Sequence, residues 1–214
     1  MKIGVLGTGM VGEALASKMI EIGHDVRMGS RTAGNEKAAA WAAKAGTRAS
    51  NGAFSDSARF GDLIFNCTQG AVSLEALSAA GANHLKGKIL IDVSNPLDPH
   101  EDGKLLYCNA ESLAEKIQKA FPDAKVVKTL NTMWCGIMVN PRRLKDSHTN
   151  FISGNDAGAK ATVVDLLQTF GWKKEEIIDL GDIAGARGSE MLLPIWLRIF
   201  QATGNGAFNI KVTR

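Results

Sequence analysis

The sequence has 214 residues, with 25 Lys and Arg against 22 Asp and Glu, which gives a formal net charge of +3. Hydrophobic residues make up 45% and charged residues 22%, a mixture typical of folded globular proteins, so a wholly disordered chain is excluded. The length allows one full α/β domain and a smaller lobe. The positive residues are scattered and form no basic stripe, which favours a small anionic ligand over nucleic acid.

The sequence has no apolar stretch of the roughly 18 residues needed to cross a bilayer, so no membrane partner is expected. A strand-like segment begins at Lys2, directly after Met1, so we expect no signal peptide and a cytoplasmic location. The cysteines Cys67, Cys108 and Cys135 are far apart and form no CxxC pair. This spacing argues against a disulfide framework and against a structural zinc site.

The first 130 residues alternate apolar runs with amphipathic segments. Five runs rich in Val, Ile and Leu have the composition of buried parallel strands, at residues 3–6, 26–28, 63–67, 89–93 and 126–130. Apolar residues recur with helical spacing from Val11 to Ile22, and Gly23 ends this helix. Residues 38–45 and 113–120 predict further helices. The alternation predicts a doubly wound α/β fold of the Rossmann type, with a mostly parallel sheet.

The last third of the chain has a different pattern. A strand is predicted at residues 150–153, a helix at 157–170 and a second strand at 175–180. A final helix is predicted over residues 184–202, with Pro194 inside it as a kink. We therefore expect a small C-terminal α/β lobe that packs against the sheet.

A glycine-rich turn lies between the first strand and the first helix. Residues 7–12 read GTGMVG and match GxGxxG in the strand–turn–helix context that binds dinucleotides. Gly7 allows a tight turn, Gly9 lets the backbone approach a pyrophosphate, and Gly12 lets the helix pack closely on the strand. The helix N-terminus offers free N–H groups and partial positive charge to the phosphates. An ordinary turn without a ligand is the alternative interpretation.

The end of the second strand indicates which nucleotide binds. NAD-specific folds carry Asp or Glu there, which binds the ribose 2′-hydroxyl. Here Ser30, Arg31 and Thr32 take that place, and Ser30 follows Gly12 by 18 residues, close to the expected distance. Hydroxyl and guanidinium groups suit a 2′-phosphate, so we expect NADP(H) to bind in preference to NAD(H). Lys37, at the start of the next helix, is a second candidate for the phosphate.

Small neutral residues follow three of the other predicted strands. They are the segments CTQG at 67–70, SNPL at 94–97 and NTMW at 131–134. Ligands of open α/β sheets bind outside the carboxyl ends of the strands, so these segments predict a pocket that holds a nicotinamide against a second ring. Turn formation or helix capping is the alternative role for Thr68, Asn95 and Thr132.

The same strand ends offer no His–carboxylate pair and no Ser/His/Asp arrangement, so we predict no catalytic side chain and no metal site. The four histidines are interpreted as surface residues: His24, His84, His100 and His148. Hydride transfer between stacked rings needs mainly proximity and orientation, whereas carbonyl reduction usually needs a proton donor. The predicted pocket therefore favours hydride transfer between two rings.

Further segments accompany the glycine turn: Gly-Ser-Arg at 29–31, SNPL at 94–97, VKTLNT at 127–132 and the Arg187, Glu190 and Pro194 spacing of the last helix. Together they resemble the NADPH-dependent reductases of the deazaflavin coenzyme F420, over essentially the whole chain. The glycine pattern is shared by many families. The Ser-Arg pair together with the C-terminal helix is much more specific.

The resemblance implies a set of site residues. Those that hold NADP are Gly7, Thr8, Gly9, Met10, Val11, Gly12, Ser30, Arg31 and Thr32. Lys37 is added to this set because it lies at the start of the helix that follows the second strand. Those that line the nicotinamide are Thr68, Gln69, Asn95 and Pro96, and those that face the second ring are Asn131, Thr132, Met133 and Trp134. The resemblance also implies a homodimer, and the apolar last helix agrees with a dimer interface. The alternative interpretation is that this helix packs in the core of one chain.

The preferred function is an oxidoreductase that passes hydride between NADP(H) and F420 or a flavin such as FMN or FAD. The cytosolic domains of six-transmembrane ferric reductases look similar and pass hydride to flavin. A non-catalytic NADPH-sensing module is the alternative, and a pyrroline-carboxylate, imine or β-hydroxyacid reductase is a further one that usually needs a longer C-terminal domain. The predicted domains are residues 1–145, which bind NADP, and 146–214, which close the substrate cleft.

Overall fold

Eight strands form one sheet in the computed structural model, which describes residues 1–101 and 103–213. The strands are β1 (Lys2–Leu6), β2 (Asp25–Ser30), β3 (Ala49–Ala53), β4 (Leu63–Asn66), β5 (Ile89–Asp92), β6 (Lys125–Thr129), β7 (Asn150–Gly154) and β8 (Ile177–Asp179). Their order across the sheet is β3-β2-β1-β4-β5-β6-β7-β8. The pairing of β6 with β7 is antiparallel and all the other pairings are parallel. The predicted Rossmann-type α/β fold is confirmed.

Helices connect these strands. They are α1 (Met10–Glu21), α2 (Glu36–Ala45), α3 (Phe54–Phe60), α4 (Ser73–Ala80), α5 (Ala82–Leu85), α6 (Leu113–Ala120), α7 (Cys135–Met138), α8 (Ala157–Thr169), α9 (Ala186–Met191) and α10 (Leu193–Thr203). Neighbouring residues of one strand point to opposite faces of the sheet, so Val5 and Leu6 belong to two separate hydrophobic clusters. Both faces are therefore covered, as continuous apolar strands require.

Strand β3 and the helices α3, α4, α5 and α7 are absent from the predicted elements. β3 reads ASNGA, with no large apolar side chain, because it lies at the edge of the sheet. Helix α3 crosses beneath β1 and β2, where the Ser57 hydroxyl donates a hydrogen bond to the Arg27 carbonyl oxygen at 2.8 Å. Such a contact between distant segments leaves no periodic signal in the sequence.

The last third of the chain extends the same sheet through β7 and β8. The final helix, predicted with a kink at Pro194, is divided into α9 and α10 at Leu192, because Pro194 occupies the first turn of α10. The predicted boundary at residue 145 falls in the connection that precedes β7, and the division into two domains stays a prediction. In the described part of the chain, no helix combines the length and the apolar character that a membrane crossing requires.

The C-terminal segment, residues 204–213, contains no helix or strand and packs against the rest of the chain. The Thr149 backbone N–H donates to the Ile210 carbonyl oxygen at 2.9 Å, and Phe208 stacks on Trp196 at 5.3 Å between ring centroids. This segment covers His148, which is 4% exposed. The prediction that His148 is a surface residue is therefore wrong, because the chain end that buries it lies 61 residues away at Asn209.

Candidate functional site

The turn between β1 and α1 is shaped by two glycines that cannot be replaced without strain. Gly7 has φ of +119°, a conformation that side chains disfavour. A Cβ atom on Gly12 would lie 2.2 Å from the Gly7 carbonyl oxygen, which is far inside van der Waals contact. Gly12 therefore lets the first turn of α1 sit against the end of β1, as the motif predicts.

Gly9 forms the open side of this turn. A Cβ atom there would meet nothing within 4 Å, so the space beside its backbone is free for a ligand. Gly9 is also the N-cap of α1, and no side chain caps the helix. The N-terminal N–H groups of a 12-residue helix thus face a cleft, which suits a pyrophosphate.

A cavity of about 430 Å³ opens between the N-terminus of α1 and the ends of β4 and β5. Its lining residues are Gly9, Met10, Val11, Cys67, Thr68, Gln69, Gly70, Ala71, Val93, Ser94, Asn95, Leu97, Asp98 and Pro99. The turns after β4 and β5 touch, since a Cβ atom on Gly70 would lie 2.0 Å from the Asn95 carbonyl oxygen. Thr68, Gln69 and Asn95, predicted for the nicotinamide, thus share one cavity with the glycine turn, and Pro96 is buried beside it.

A second cavity of about 220 Å³ adjoins the first, and Thr68 and Gln69 line both. Its other lining residues are Arg31, Phe54, Val72, Glu75, Ala76 and Ala79. The two neighbouring cavities, which share Thr68 and Gln69 at the carboxyl ends of the strands, are together called the cleft. The cleft therefore joins the predicted 2′-phosphate residue Arg31 to the predicted nicotinamide pocket.

The residues after β2 differ in exposure. Ser30 is 5% exposed and its hydroxyl donates to the Thr32 carbonyl oxygen at 2.5 Å, which shapes the turn. Arg31 and Thr32 are exposed, and no hydrogen bond or ion pair joins Arg31 to another described residue. Lys37 is exposed on α2 and lines neither cavity. Arg31 is thus the cation best placed at the mouth of the cleft.

The segment predicted to face the second ring lies mostly below the surface. Asn131 and Thr132 are 2% exposed and Met133 is 5% exposed, whereas Trp134 is half-buried. The Asn131 side-chain amide donates to Asn95 Oδ1 at 2.9 Å, and Asn95 Nδ2 donates back to the Asn131 carbonyl oxygen at 2.8 Å. Asn131 therefore holds the Asn95 turn in place. None of these four residues lines either cavity, and the Arg143 guanidinium lies over the Trp134 ring, 5.2 Å from its centroid.

A buried charged cluster lies under the strand ends, where the sequence analysis expected neutral groups. Lys128 Nζ lies 2.8 Å from Asp92 Oδ2 and 3.0 Å from Glu190 Oε1, and the three side chains are at most 1% exposed. Burial lowers the pKa of Lys128, but the two carboxylates raise it by more, so its pKa lies above the ordinary value. The ammonium therefore stays protonated.

The sequence carries a signal for this pair. Asp92 ends the apolar run of β5, Lys128 interrupts the apolar run of β6, and the two residues occupy paired positions in the register of these strands. Opposite charges in adjacent buried strands predict an ion pair once the strand order is known. The sequence does not predict that Glu190 joins this pair, because α9 is distant from β5 and β6 in the chain and contacts Lys128 only after folding.

The thiol of Cys67 lines the main cavity but is not activated. Burial, followed by the nearby Asp92 carboxylate, raises the pKa of Cys67 far above its ordinary value. The thiol is therefore protonated at neutral pH and acts as a small packing group. Among the residues that the structure describes, no group of three or more His, Cys, Asp or Glu side chains could hold a metal ion.

Comparison with known proteins agrees with this geometry. Residues 2–96 match the family model described as NADP oxidoreductase, coenzyme F420-dependent. A solved structure of a candidate F420-dependent NADP reductase from Arthrobacter sp. FB24 is 46% identical, with complete coverage of both chains and a TM-score of 0.93.

More distant proteins share part of this likeness. The metalloreductase STEAP3 of Rattus norvegicus is 31% identical over 203 residues, which cover 91% of this chain, and the chain spans 38% of the length of that relative. A reductive aminase from Aspergillus terreus, solved with NADPH and ethyl levulinate, shares the fold at 20% identity, with a TM-score of 0.67 over 94% of this chain and 62% of that one. The whole-length match at 46% identity and the family model together show that this chain belongs to the coenzyme F420-dependent NADP oxidoreductase family.

Proposed function

We propose that the chain binds NADP(H) along the cleft and transfers hydride between this cofactor and a deazaflavin or flavin. The observation that carries the proposal is the exposed Arg31, which has no hydrogen-bond or ion-pair partner among residues 1–101 and 103–213, at one end of a cleft whose other end is lined by Gly9 and Asn95. Such a cation is available to bind a 2′-phosphate, and the turn at residues 29–32 contains no carboxylate.

The residues present fit this cofactor from end to end. The turn from Gly7 to Gly12 would hold the pyrophosphate, because Gly9 leaves open space beside an uncapped helix N-terminus. Ser30, Arg31 and Thr32 would hold the 2′-phosphate, and Lys37 would contribute only long-range attraction. The nicotinamide would occupy the larger cavity, against the residues Thr68, Gln69, Asn95 and Pro96.

When bound, the cofactor supplies the hydride, and the chain supplies position. The main cavity is lined mostly by small polar and apolar side chains; its one carboxylate, Asp98, pairs with Lys104 at 3.8 Å, and its one thiol, Cys67, is held protonated. Direct hydride transfer between rings gains mainly from fixed proximity and orientation, which such a cavity provides without an acid or a base. We therefore assign no catalytic residue. In this proposal the acceptor meets Trp134, with Asn131, Thr132 and Met133 behind it.

The acceptor is proposed to be F420, FMN or FAD. Family membership and the 46% identical candidate F420-dependent reductase support the deazaflavin, and the metalloreductase relative supports a wider range of redox acceptors. The test is anaerobic oxidation of NADPH by each acceptor in turn, followed at 340 nm. Turnover with F420 alone would identify the deazaflavin, and no turnover with any of the three would contradict the proposal.

A non-catalytic NADPH sensor is the second candidate. Its distinguishing result is NADPH binding without reduction of any acceptor, together with capture of a partner only when NADPH is present. An imine or hydroxyacid reductase is a further candidate, since a reductive aminase shares the fold. A measurable rate with a cyclic imine would favour that candidate. The cytoplasmic location stays a prediction.

A homodimer is also proposed, through α10. Its apolar residues Ile195 and Phe200 are 50% and 41% exposed, and Met191 just before it is 40% exposed. Apolar area of this kind at one helix is typical of an interface. Sedimentation of the wild type is expected to give a dimer, and Ile195→Glu is expected to give a monomer. A monomeric wild type at micromolar concentration would contradict the dimer.

A further inference from the structure

Two consecutive residues of α9 contact the strand ends that form the nicotinamide half of the cleft. The Ser189 carbonyl oxygen accepts a hydrogen bond from Asn131 Nδ2 at 3.1 Å, and Asn131 binds Asn95 in turn. Glu190 Oε1 lies 3.0 Å from Lys128 Nζ. Helix α9 therefore reaches the cleft by two routes, and the second passes through a buried charge.

Lys128 is the centre of the second route. Its ammonium donates hydrogen bonds to Asp92 Oδ2 at 2.8 Å and to the Ser94 carbonyl oxygen at 2.5 Å, and it forms an ion pair with Glu190 Oε1. Ser94 directly precedes Asn95. The orientation of this turn, one wall of the main cavity, thus depends on a hydrogen bond from Lys128.

The network continues from Asp92 to the opposite wall. Asp92 Oδ1 accepts from Asn66 Nδ2 at 2.8 Å and from the Ser94 hydroxyl at 2.6 Å. Asn66 Oδ1 accepts from the Thr68 hydroxyl at 2.7 Å, and Thr68 lines both cavities. Lys128 is therefore joined by hydrogen bonds to the turns after β4 and after β5.

Stability alone does not account for this arrangement. A buried ion pair seldom stabilises a fold more than apolar residues of the same volume, because the desolvation of the charges offsets their attraction. The charged network instead joins the side chains of the two turns to one buried ammonium through hydrogen bonds. We propose that Lys128 is a positioning residue, which fixes the Thr68 and Ser94–Asn95 turns in the geometry that binds the nicotinamide half of NADP(H).

This inference rests on the proposed function. Binding of two ligands, NADPH and 2′,5′-ADP, distinguishes failure of the inference from failure of the proposed function. NADPH spans the whole cleft, whereas 2′,5′-ADP carries only the adenosine and 2′-phosphate half. In the wild type, we expect calorimetry to show tighter binding of NADPH than of 2′,5′-ADP. If neither ligand binds, the proposed function fails and the inference fails with it. If both bind with equal affinity, the proposed function stands but the inference is overturned.

The test variant is Lys128→Met, which keeps the length of the side chain and removes its charge and donors. We expect the affinity for NADPH to fall about 10-fold or more, as for loss of one hydrogen bond to a charged group, and the affinity for 2′,5′-ADP to stay within twofold. A merely structural role would weaken both ligands alike or leave both unchanged. Either of those results would overturn the inference.

A second variant covers the case in which Lys128→Met does not fold. Glu190→Gln keeps the size of the side chain and removes its charge. It weakens the contact with Lys128 and also the hydrogen bonds that Glu190 accepts from the Leu113 and Ala114 backbone N–H groups, at 2.8 and 3.1 Å, so it should lower NADPH affinity selectively by a smaller factor. The matched control is Arg187→Gln on the same helix, because Arg187 pairs with Glu115 outside the network. The control should leave both affinities unchanged. If Glu190→Gln behaves like the control, the inference is wrong.

Discussion

Asp92 and Lys128 occupy paired positions on neighbouring parallel strands and form an ion pair, with 2.8 Å between Oδ2 and Nζ and no exposed side-chain area on either residue. The pair lies directly beneath the turn that follows β5. It explains how the turns after β4 and β5, which carry small neutral side chains, keep a defined shape. Polar groups at strand ends can exchange hydrogen bonds with water. Here the Ser94 carbonyl oxygen and hydroxyl instead bind to the buried Lys128 and Asp92 side chains.

The first prediction concerns nucleotide preference. Arg31→Ala removes the cation at the end of β2 and should weaken NADPH binding about 10- to 150-fold, the value of one charge-assisted hydrogen bond. NADH lacks the 2′-phosphate, so its affinity should not change. Fluorescence titration of both nucleotides checks this. Lys37→Ala is the matched control and should have a much smaller effect, and equal losses for NADPH and NADH on Arg31→Ala would show that Arg31 does not bind the 2′-phosphate.

The second prediction separates two glycines of one turn. Gly12→Ala places a Cβ atom 2.2 Å from a backbone oxygen, so it should lower the free energy of unfolding by about 1–3 kcal/mol. Gly9 has φ of −82° and open space beside it, so Gly9→Ala should leave the free energy of unfolding unchanged. Its methyl group would still stand where the pyrophosphate approaches, and NADPH affinity should fall about 10- to 150-fold.

Urea unfolding and calorimetric titration of both glycine variants provide the measurements. Each variant is the control for the other, because they lie three residues apart in the same turn. A Gly9→Ala protein that binds NADPH as tightly as the wild type would place the pyrophosphate elsewhere.

The third prediction concerns acid stability. The hydrogen bond from Arg187, with help from Ser112 and against the effect of burial, lowers the pKa of Glu115 from an ordinary value of 4.5 to about 2. A group whose pKa is lower in the folded state contributes stability that is complete above pH 4.5 and is lost as the pH falls towards 2. Glu115→Gln lacks this contribution. Its free energy of unfolding should therefore fall less steeply than that of the wild type between pH 4.5 and 2.

Urea unfolding at half-unit steps of pH from 2 to 6 measures this difference. Arg187→Gln should flatten the profile in the same way, because it removes the partner that stabilises the carboxylate. Parallel profiles for the wild type and both variants would contradict the assignment.

The fourth prediction concerns the C-terminal segment. Asn209 Nδ2 lies 2.8 Å from His148 Nδ1 and donates to the Thr149 carbonyl oxygen at 3.0 Å. Asn209→Ala leaves a buried imidazole nitrogen and a carbonyl without this partner, which should cost about 1–3 kcal/mol. Urea unfolding measures the cost, and limited proteolysis should cleave the segment faster. Asn205→Ala, at an exposed position of the same segment, is the control; equal stability of the two variants would refute the role of Asn209.

Local sequence patterns were enough to predict the glycine turn and most of the strands. The turn from Gly7 to Gly12 needs no distant partner to be recognised, because its geometry follows from glycine content between a strand and a helix. The apolar runs of β4 and β5 are equally clear, since strands buried on both faces need continuous apolar residues. The edge strand β3 has no such requirement, and its sequence gave no prediction.

The sequence by itself determined the fold class, the position of the phosphate turn and the presence of a hydroxyl and cation group at the end of β2, because these features depend on residues close together in the chain. Only the tertiary structure decided that Glu190 reaches Lys128, that Asn209 covers His148, and that Asn131 is buried against Asn95. These contacts join residues 36 to 62 positions apart, and no local periodicity records them. Burial makes each polar group take the partner that the packed chain brings to it.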